Sequence, residues 1–265
     1  MQKIVLFDMD GTLTPPREKL DQNLVETLTK LSKCAEIGIV SGSDYEYIMQ
    51  QCGLLTIKDQ INLKLHILPC NGTMHYAPSL HQEGCHQLVH ENSMRQVLGD
   101  GNLSKLFKKI INYQDHIVSH YDIPLTGHFI SYRGSMINWC PIGRNAEKED
   151  REIFHQFDKN FGISSFRRTV LEQIREEFLN SKIDVTVKLG GETSFDIFPN
   201  GWDKTYALSH FPNYKIWFLG DRCGDNGNDK EIFDALQPEH SFWVDSTNHT
   251  KKILEEIIIP KFGVL

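Results

Sequence analysis

Four consecutive apolar residues, Ile4-Val5-Leu6-Phe7, run directly into Asp8-Met9-Asp10-Gly11-Thr12. A short apolar run without polar alternation fits a strand buried on both faces, the setting that a parallel sheet covered by helices provides. Ending that strand in two carboxylates one residue apart puts charge at the carboxyl edge of the sheet, where open α/β folds place their ligands. Alternate strand residues share a face, so Asp8 and Asp10 point the same way while the strand lasts, and Gly11 permits a sharp turn after them. Two carboxylates this close resist joint ionisation unless a positive charge stands between them. A divalent cation is the simplest candidate, and hard carboxylate oxygens favour magnesium. The plainer alternative is an acidic turn that merely closes the strand, because Asp and Gly are common in turns.

Two more strand ends carry chemistry. Ile37-Gly38-Ile39-Val40 leads into Ser41-Gly42-Ser43-Asp44 ahead of a helical stretch from Tyr45 to Gln51. Hydroxyls and free amides at a helix N-terminus suit a phosphate, although capping alone would also explain Ser43 and Asp44. Ile216-Trp217-Phe218-Leu219 ends in Gly220-Asp221 and opens an oxygen-rich loop running to Asn228 and Asp229. That loop is not an EF-hand, since Cys223 occupies the third position and no glutamate stands at the twelfth. Gly201-Trp202-Asp203-Lys204 opens a helix. If the three strands lie parallel, Asp8, Asp10, Ser41, Ser43, Asp221 and Lys204 meet at one edge. Asp8 and Asp221 then bind magnesium, Lys204 offsets a carboxylate and a phosphoryl oxygen, and the hydroxyls hold the other phosphoryl oxygens. One aspartate is free to attack phosphorus while the other passes a proton to or from an alcohol oxygen. Pro15 and Pro16 keep the next segment a loop, which brings Arg17 near the acids, either as a phosphate clamp or as a solvated loop residue.

The fold class expected is α/β: a Rossmann-like core with a parallel sheet over residues 1–81 and 199–265, interrupted by an α+β domain with an antiparallel sheet over 82–198. In the core, apolar spacing predicts a helix over 20–33, and Asn71-Gly72 predicts a hairpin. In the insertion, residues 82–102 are polar and Gly-punctuated, and a helix with Leu103, Leu106, Phe107, Ile110 and Ile111 on one face follows. Strand pairs are expected around Arg133-Gly134-Ser135 and across Gly190-Gly191, with helices near 147–160 and 165–180. A net charge of −7 on 265 residues argues against a nucleic-acid or anionic-membrane surface. No run of about 18 apolar residues occurs, so no membrane span is expected. Six cysteines without a Cys-x-x-Cys pair, and no apolar leader after Met1-Gln2-Lys3, give the expectation of a cytoplasmic protein with reduced thiols.

Asp8-x-Asp10-Gly-Thr, the serine turn, Lys204 and Gly220-Asp221 with Asn228-Asp229 resemble the four motifs of the haloacid dehalogenase superfamily of phosphotransferases, and the insertion resembles its C2-type cap. The resemblance narrows to the eukaryotic-type α-phosphomannomutases. It rests on Leu13-Thr14-Pro15-Pro16-Arg17, Tyr132-Arg133-Gly134, Pro141-Ile142-Gly143-Arg144, Arg151, and Ser194-Phe195-Asp196-Ile197-Phe198-Pro199-x-Gly201-Trp202-Asp203-Lys204. It implies that Asp8 is the nucleophile and Asp10 the acid/base, with magnesium held by Asp8, the Asp10 backbone carbonyl and Asp221. Asn228 and Asp229 would stand behind those ligands. Arg17, Arg133, Arg144 and Arg151 would hold the non-reacting phosphate, and Ser194 and Asp196 the sugar. A mutase binds its substrate in two orientations, so it needs such a second phosphate site, and guanidinium groups suit one.

The activity implied interconverts mannose 6-phosphate and mannose 1-phosphate, on a hexose phosphate substrate, with a hexose 1,6-bisphosphate as activator and a homodimer formed through the cap. A sugar-phosphate phosphatase on the same scaffold is the nearest alternative, and a non-catalytic sugar-phosphate sensor is a more distant one. The chain departs from the family pattern at Ser41, where Gly is usual, at Cys70, where Glu is common, and at Asp234-Ala235-Leu236, where a second cation is often held.

Overall fold

A computed structural model describes residues 1–57, 61, 64–79, 85–225 and 227–263. The described residues divide into two compact units, a core of Met1–Glu91 with Trp202–Leu265, and a cap of Asn92–Gly201.

The core is built on a seven-stranded sheet. Its strands are β1 (Gln2–Phe7), β2 (Glu36–Val40), β3 (Leu65–Leu68), β4 (Met74–Pro78) and β5 (His86–Glu91). Two more, β10 (Tyr214–Gly220) and β11 (Ser241–Trp243), come from beyond the cap. The spatial order is β11-β10-β1-β2-β3-β4-β5. Pairing is parallel from β11 to β3 and antiparallel from β3 to β5.

The opening apolar run is explained by the two faces of β1. Val5 and Phe7 pack into one core cluster with Leu24, Leu28, Ile37, Ile39 and Ile48. Ile4 and Leu6 pack on the opposite face with Val40, Leu68, Phe211 and Phe218. All four are fully buried, a contribution of about 2 kcal/mol each from apolar transfer. The helix expected over 20–33 forms at Gln22–Leu31, capped by the Asp21 side chain on Asn23 N.

The Asn71-Gly72 signal does mark a reversal, with Ile67 opposite Tyr76 across β3 and β4. The connection is a 3₁₀ turn over Cys70–Gly72, longer than a two-residue hairpin loop, and Asn71 takes a left-handed backbone at φ 64.

The break expected after residue 81 falls outside the described residues. The units divide later, because β5 pairs with β4 and belongs to the core sheet. The stretch 82–102 also holds more regular structure than its polarity suggested. The helix Met94–His120 begins there, capped by Ser93 and broken at Gly99 (φ 73, ψ 156).

The cap's sheet is four-stranded, in the order β6 (Ile130–Tyr132), β7 (Ile137–Trp139), β9 (Ser194–Pro199), β8 (Val185–Gly190), with antiparallel pairing throughout. Both expected hairpins are present, and the expected helices form at Lys148–Lys159 and Phe166–Asn180. Among the described residues no helix is long and apolar enough to cross a membrane.

A histidine chain ties β2, β3 and β4 to the helix Lys204–His210. The Glu36 carboxylate accepts from His66 Nε2 at 3.0 Å, which leaves His66 Nδ1 to accept from His75 Nε2 at 2.9 Å when both rings are neutral. The His75 ring lies 4.6 Å from that of His210, whose Nε2 donates to Gly72 O at 2.7 Å. His90, on β5, is 5.0 Å from His210 and bonds Tyr206.

Burial, with His66, His210 and His90 around it, pulls the pKa of His75 down to about 3. The unfolded chain binds the proton first, so this group's stabilisation is complete above its unfolded pKa near 6.5 and is lost as pH falls toward 3. Urea unfolding of wild type and His75→Gln at pH 7.5 and pH 5 is expected to show wild type losing about 2 kcal/mol more over that interval. Equal losses in the two proteins would show that His75 titrates normally in the fold.

Candidate active site

Two adjacent parallel strands bring the first two acids together. Asp8 follows β1, Asp221 follows β10, and the Asp8 amide donates to Leu219 O at 2.9 Å, continuing the ladder between them. Lys204 begins a 3₁₀ helix, with Asp203 as N-cap accepting from Thr205 N at 2.9 Å. The Lys204 side chain is 1% exposed; its Nζ donates to Asp8 Oδ1, and to Asp229 Oδ1 at 2.5 Å. The other Asp229 oxygen accepts from Arg222 N at 3.0 Å. One ammonium thus faces a group of three carboxylates, Asp8, Asp221 and Asp229, with an oxygen from each within 4.8 Å of the others.

That imbalance shows in proton affinity. Burial holds the Asp8 pKa well above the carboxylate range; Lys204 draws it back, while Asp229 and Asp221 push it further up. Burial and then Asp229 raise Asp221 to about 6. Burial alone would lower Lys204, but Asp229 and Asp8 outweigh it and the pKa is raised. Asp221 Oδ1 is buried without a hydrogen-bond partner among the described residues. A buried unpaired carboxylate oxygen beside two more carboxylates forms a donor set that fits a hard divalent cation.

Gly11 makes the approach possible. Its φ is +87, and a Cβ there would stand 2.3 Å from Asp221 Oδ2, so a side chain would displace the carboxylate. On the other side, Trp243 Nε1 donates to Asp221 O at 2.8 Å.

Asp10 does not share the Asp8 cluster. The strand ends at Phe7, and the Asp10 carboxylate instead accepts from Arg17 N at 3.3 Å. Burial raises its pKa, against the lowering effect of Arg17 N and the Gln51 side chain. Asp229, expected behind the ligands, stands in the cluster itself, whereas Asn228 Oδ1 is buried with no partner among the described residues. Arg17 is an exposed loop residue with φ 64. At the second strand end, Asp44 caps the following helix by accepting from Tyr47 N at 2.9 Å. Capping therefore accounts for Asp44 but not Ser43, whose amide donates to Ser41 Oγ at 3.1 Å.

The cap carries its own polar cluster. Asn138 Nδ2 donates to Ser194 Oγ at 2.9 Å and Asp196 Oδ1 at 2.7 Å, and Asn138 Oδ1 accepts from Arg144 Nη1 at 2.9 Å. Asn138 and Asp196 are register partners across β7 and β9, so the sheet itself sets their distance. Arg167 Nε donates to Asp158 Oδ2 at 3.0 Å, and its Nη1 to Gly191 O at 3.2 Å, which fixes the turn before Ser194.

Arg151 lies 3.8 Å from the Glu192 carboxylate, and Arg133 sits in the β6–β7 turn, its amide donating to Met136 O. Among the expected cap residues, Arg144, Ser194 and Asp196 are therefore joined through Asn138, which the sequence reading passed over. A lone amide in the apolar run Met136-Ile137-Asn138-Trp139 was the available signal.

Residues 24–260 match the model of the eukaryotic phosphomannomutase family. The chain is 36% identical to a phosphomannomutase of Spinacia oleracea over 260 residues, covering 97% of this chain and 96% of the relative. It is 36% identical to phosphomannomutase 1 of Dictyostelium discoideum over 258 residues, with 96% of each covered. Among solved structures, the IMP-bound, N-terminally truncated IMP-nucleotidase of Plasmodium falciparum superposes with a TM-score of 0.69 at 17% identity, over 97% of this chain and 68% of that one. This likeness concerns the fold alone, an α/β core with an inserted α+β domain. Matched along nearly its whole length by a family model and by relatives of that name, the chain belongs to the eukaryotic phosphomannomutase family and is an enzyme of the isomerase class.

Proposed function

We propose that the protein interconverts mannose 6-phosphate and mannose 1-phosphate through an aspartyl-phosphate on Asp8 and a hexose bisphosphate intermediate, with magnesium and with a hexose 1,6-bisphosphate as activator. The observation that carries this reading is the buried Asp8 carboxylate at the end of β1, fixed by Lys204 inside a three-carboxylate cluster. Asp8 is held in one orientation, which is what in-line attack on phosphorus requires. Magnesium would be held by Asp8 and Asp221, with Asp229 beside them and the Asp10 backbone carbonyl as a further oxygen. When bound, it supplies neutralisation of charge on the phosphoryl oxygens.

The chain's own groups do the rest. Asp8 Oδ forms the bond to phosphorus as the ester P–O bond breaks, Asp10 gives its proton to the departing sugar oxygen, and Lys204 and Ser43 take phosphoryl oxygens. In the other half, the Asp10 carboxylate takes a proton from the free hydroxyl of a bound hexose monophosphate as that oxygen attacks the phosphoryl group on Asp8, the Asp8–phosphorus bond breaks, and the hexose bisphosphate forms. Asp196 and Ser194 hold the sugar, while Arg144, with Arg17, Arg133 and Arg151, holds the phosphate that is not reacting. A homodimer through the cap and a cytoplasmic location complete the proposal.

The test is an assay with magnesium and mannose 1-phosphate, with and without glucose 1,6-bisphosphate, that follows both mannose 6-phosphate and free phosphate. Bisphosphate-dependent interconversion with little free phosphate is the expected result; free phosphate without interconversion would make the enzyme a phosphatase. Arg144→Ala is expected to cut interconversion by about 30- to 100-fold, the size of one or two lost charge-assisted hydrogen bonds, while the residual hydrolysis of mannose 1-phosphate persists. Equal loss of both would deny Arg144 a role in holding the second phosphate.

A further inference from the structure

Gln51 is a polar side chain in the core, 4% exposed near the end of the helix Tyr45–Cys52. Its two amide atoms are treated differently. Oε1 accepts from Thr14 Oγ1 at 2.7 Å, which settles the orientation of the amide. Nε2 is buried with no hydrogen-bond partner among the described residues, and Thr14, which anchors the amide, is bridged through the backbone to Asp10.

The backbone braces the same arrangement, with Leu20 N donating to Gln51 O at 3.1 Å and Gly11 N donating to Thr14 O at 2.7 Å. The loop holding Asp10 is thereby closed onto the residue that orients Gln51. A buried N–H without a full partner costs about 1–3 kcal/mol. An apolar residue of the same size would avoid that cost, so the amide calls for a reason at this place.

We propose that Gln51 is a positioning residue for Asp10: anchored by Thr14, its amide holds one Asp10 carboxyl oxygen, so that the other oxygen is presented to the sugar oxygen that leaves or attacks. This rests on the proposed role of Asp10 as proton carrier. In the first half-reaction the P–O ester bond breaks, the Asp8–phosphorus bond forms, and the Asp10 proton passes to the departing oxygen. A misaligned Asp10 leaves that oxygen as an alkoxide. A phosphate ester whose leaving group needs no proton does not depend on the alignment.

The experiment compares two phosphoryl donors in single-turnover reactions with the full chain and magnesium: mannose 1-phosphate and p-nitrophenyl phosphate. Gln51→Leu, which keeps the volume but not the donor, is expected to slow transfer from the sugar phosphate by about 30- to 100-fold, within the range of lost general-acid catalysis, and transfer from the aryl phosphate by no more than about threefold. Thr14→Val, which frees the amide to turn, is expected to show the same selectivity at roughly a third of the size, and it carries the test if Gln51→Leu does not fold. Equal slowing on both donors, or none on either, would overturn the proposal. Asp10→Asn is the control. If it shows the selectivity and the Gln51 and Thr14 variants do not, the inference alone fails. If Asp10→Asn slows both donors alike, the acid/base reading of Asp10 fails and takes the inference with it.

Discussion

Asp8→Asn is expected to lower turnover by on the order of 10⁴-fold while leaving a protein that, without added cation, unfolds at the same temperature as wild type or a higher one. The loss follows because an amide oxygen cannot form the aspartyl-phosphate. The stability follows from the sign of the pKa shift. Burial, Asp229 and Asp221 together hold the Asp8 pKa above its unfolded value, so ionising this group in the fold costs stability at neutral pH, even with Lys204 bonded to it. Asparagine removes that charge and leaves Lys204 paired with Asp229. The measurements are mannose 1-phosphate turnover and thermal midpoints in the presence of a chelator. A variant that lost several degrees would show that the ion pair with Lys204 outweighs the crowding of the acids. Retained turnover would remove Asp8 from the nucleophile's place.

Lys204→Met has the opposite sign for stability. It leaves Asp8 and Asp229, both buried, without their shared cation. Removing one partner of a buried ion pair typically costs about 3–5 kcal/mol, which in a chain of this size lowers the thermal midpoint by about 10 °C. The carboxylates left behind escape the penalty by taking up protons. The deficit relative to wild type is therefore expected to shrink from pH 7.5 to pH 5, since groups whose folded pKa is raised gain stability as pH falls. Adding Asp229→Asn, which removes one of the stranded charges, is expected to recover part of the loss, and a double-mutant cycle reads the coupling. A Lys204→Met protein as stable as wild type at pH 7.5 would mean that the three acids do not share this ammonium.

Legibility from sequence followed how local the cause was. Ile4–Phe7 and Ile216–Leu219 announced central parallel strands because each must be apolar on both faces, and the aspartates after them necessarily reached one sheet edge. The cap hairpins at Arg133-Gly134-Ser135 and Gly190-Gly191 were readable from their turns. β5 was not, because it is an edge strand: only one side pairs, its central residues are exposed, and His86-Gln87-Leu88-Val89-His90-Glu91 shows no strand alternation. The division of labour between Asp10 and Asp229 was hidden for a different reason. Which carboxylate turns toward Lys204 depends on where β1 stops and on contacts between residues far apart in sequence, and the Gln51 and Asn138 contacts are of the same kind.

The strand order has a consequence for biosynthesis. β1 lies between β2 and β10, and its β10 partner emerges from the ribosome roughly two hundred residues after it. At about 5–20 residues per second, the apolar edge of β1 waits on the order of ten to forty seconds for its neighbour. The contiguous stretch Asn92–Gly201 contains every strand of its own sheet and can close during that interval. A nascent chain therefore carries a finished insertion beside an open, aggregation-prone half-sheet, the kind of intermediate that chaperones shield, and the last acid of the cluster arrives only as that gap is sealed.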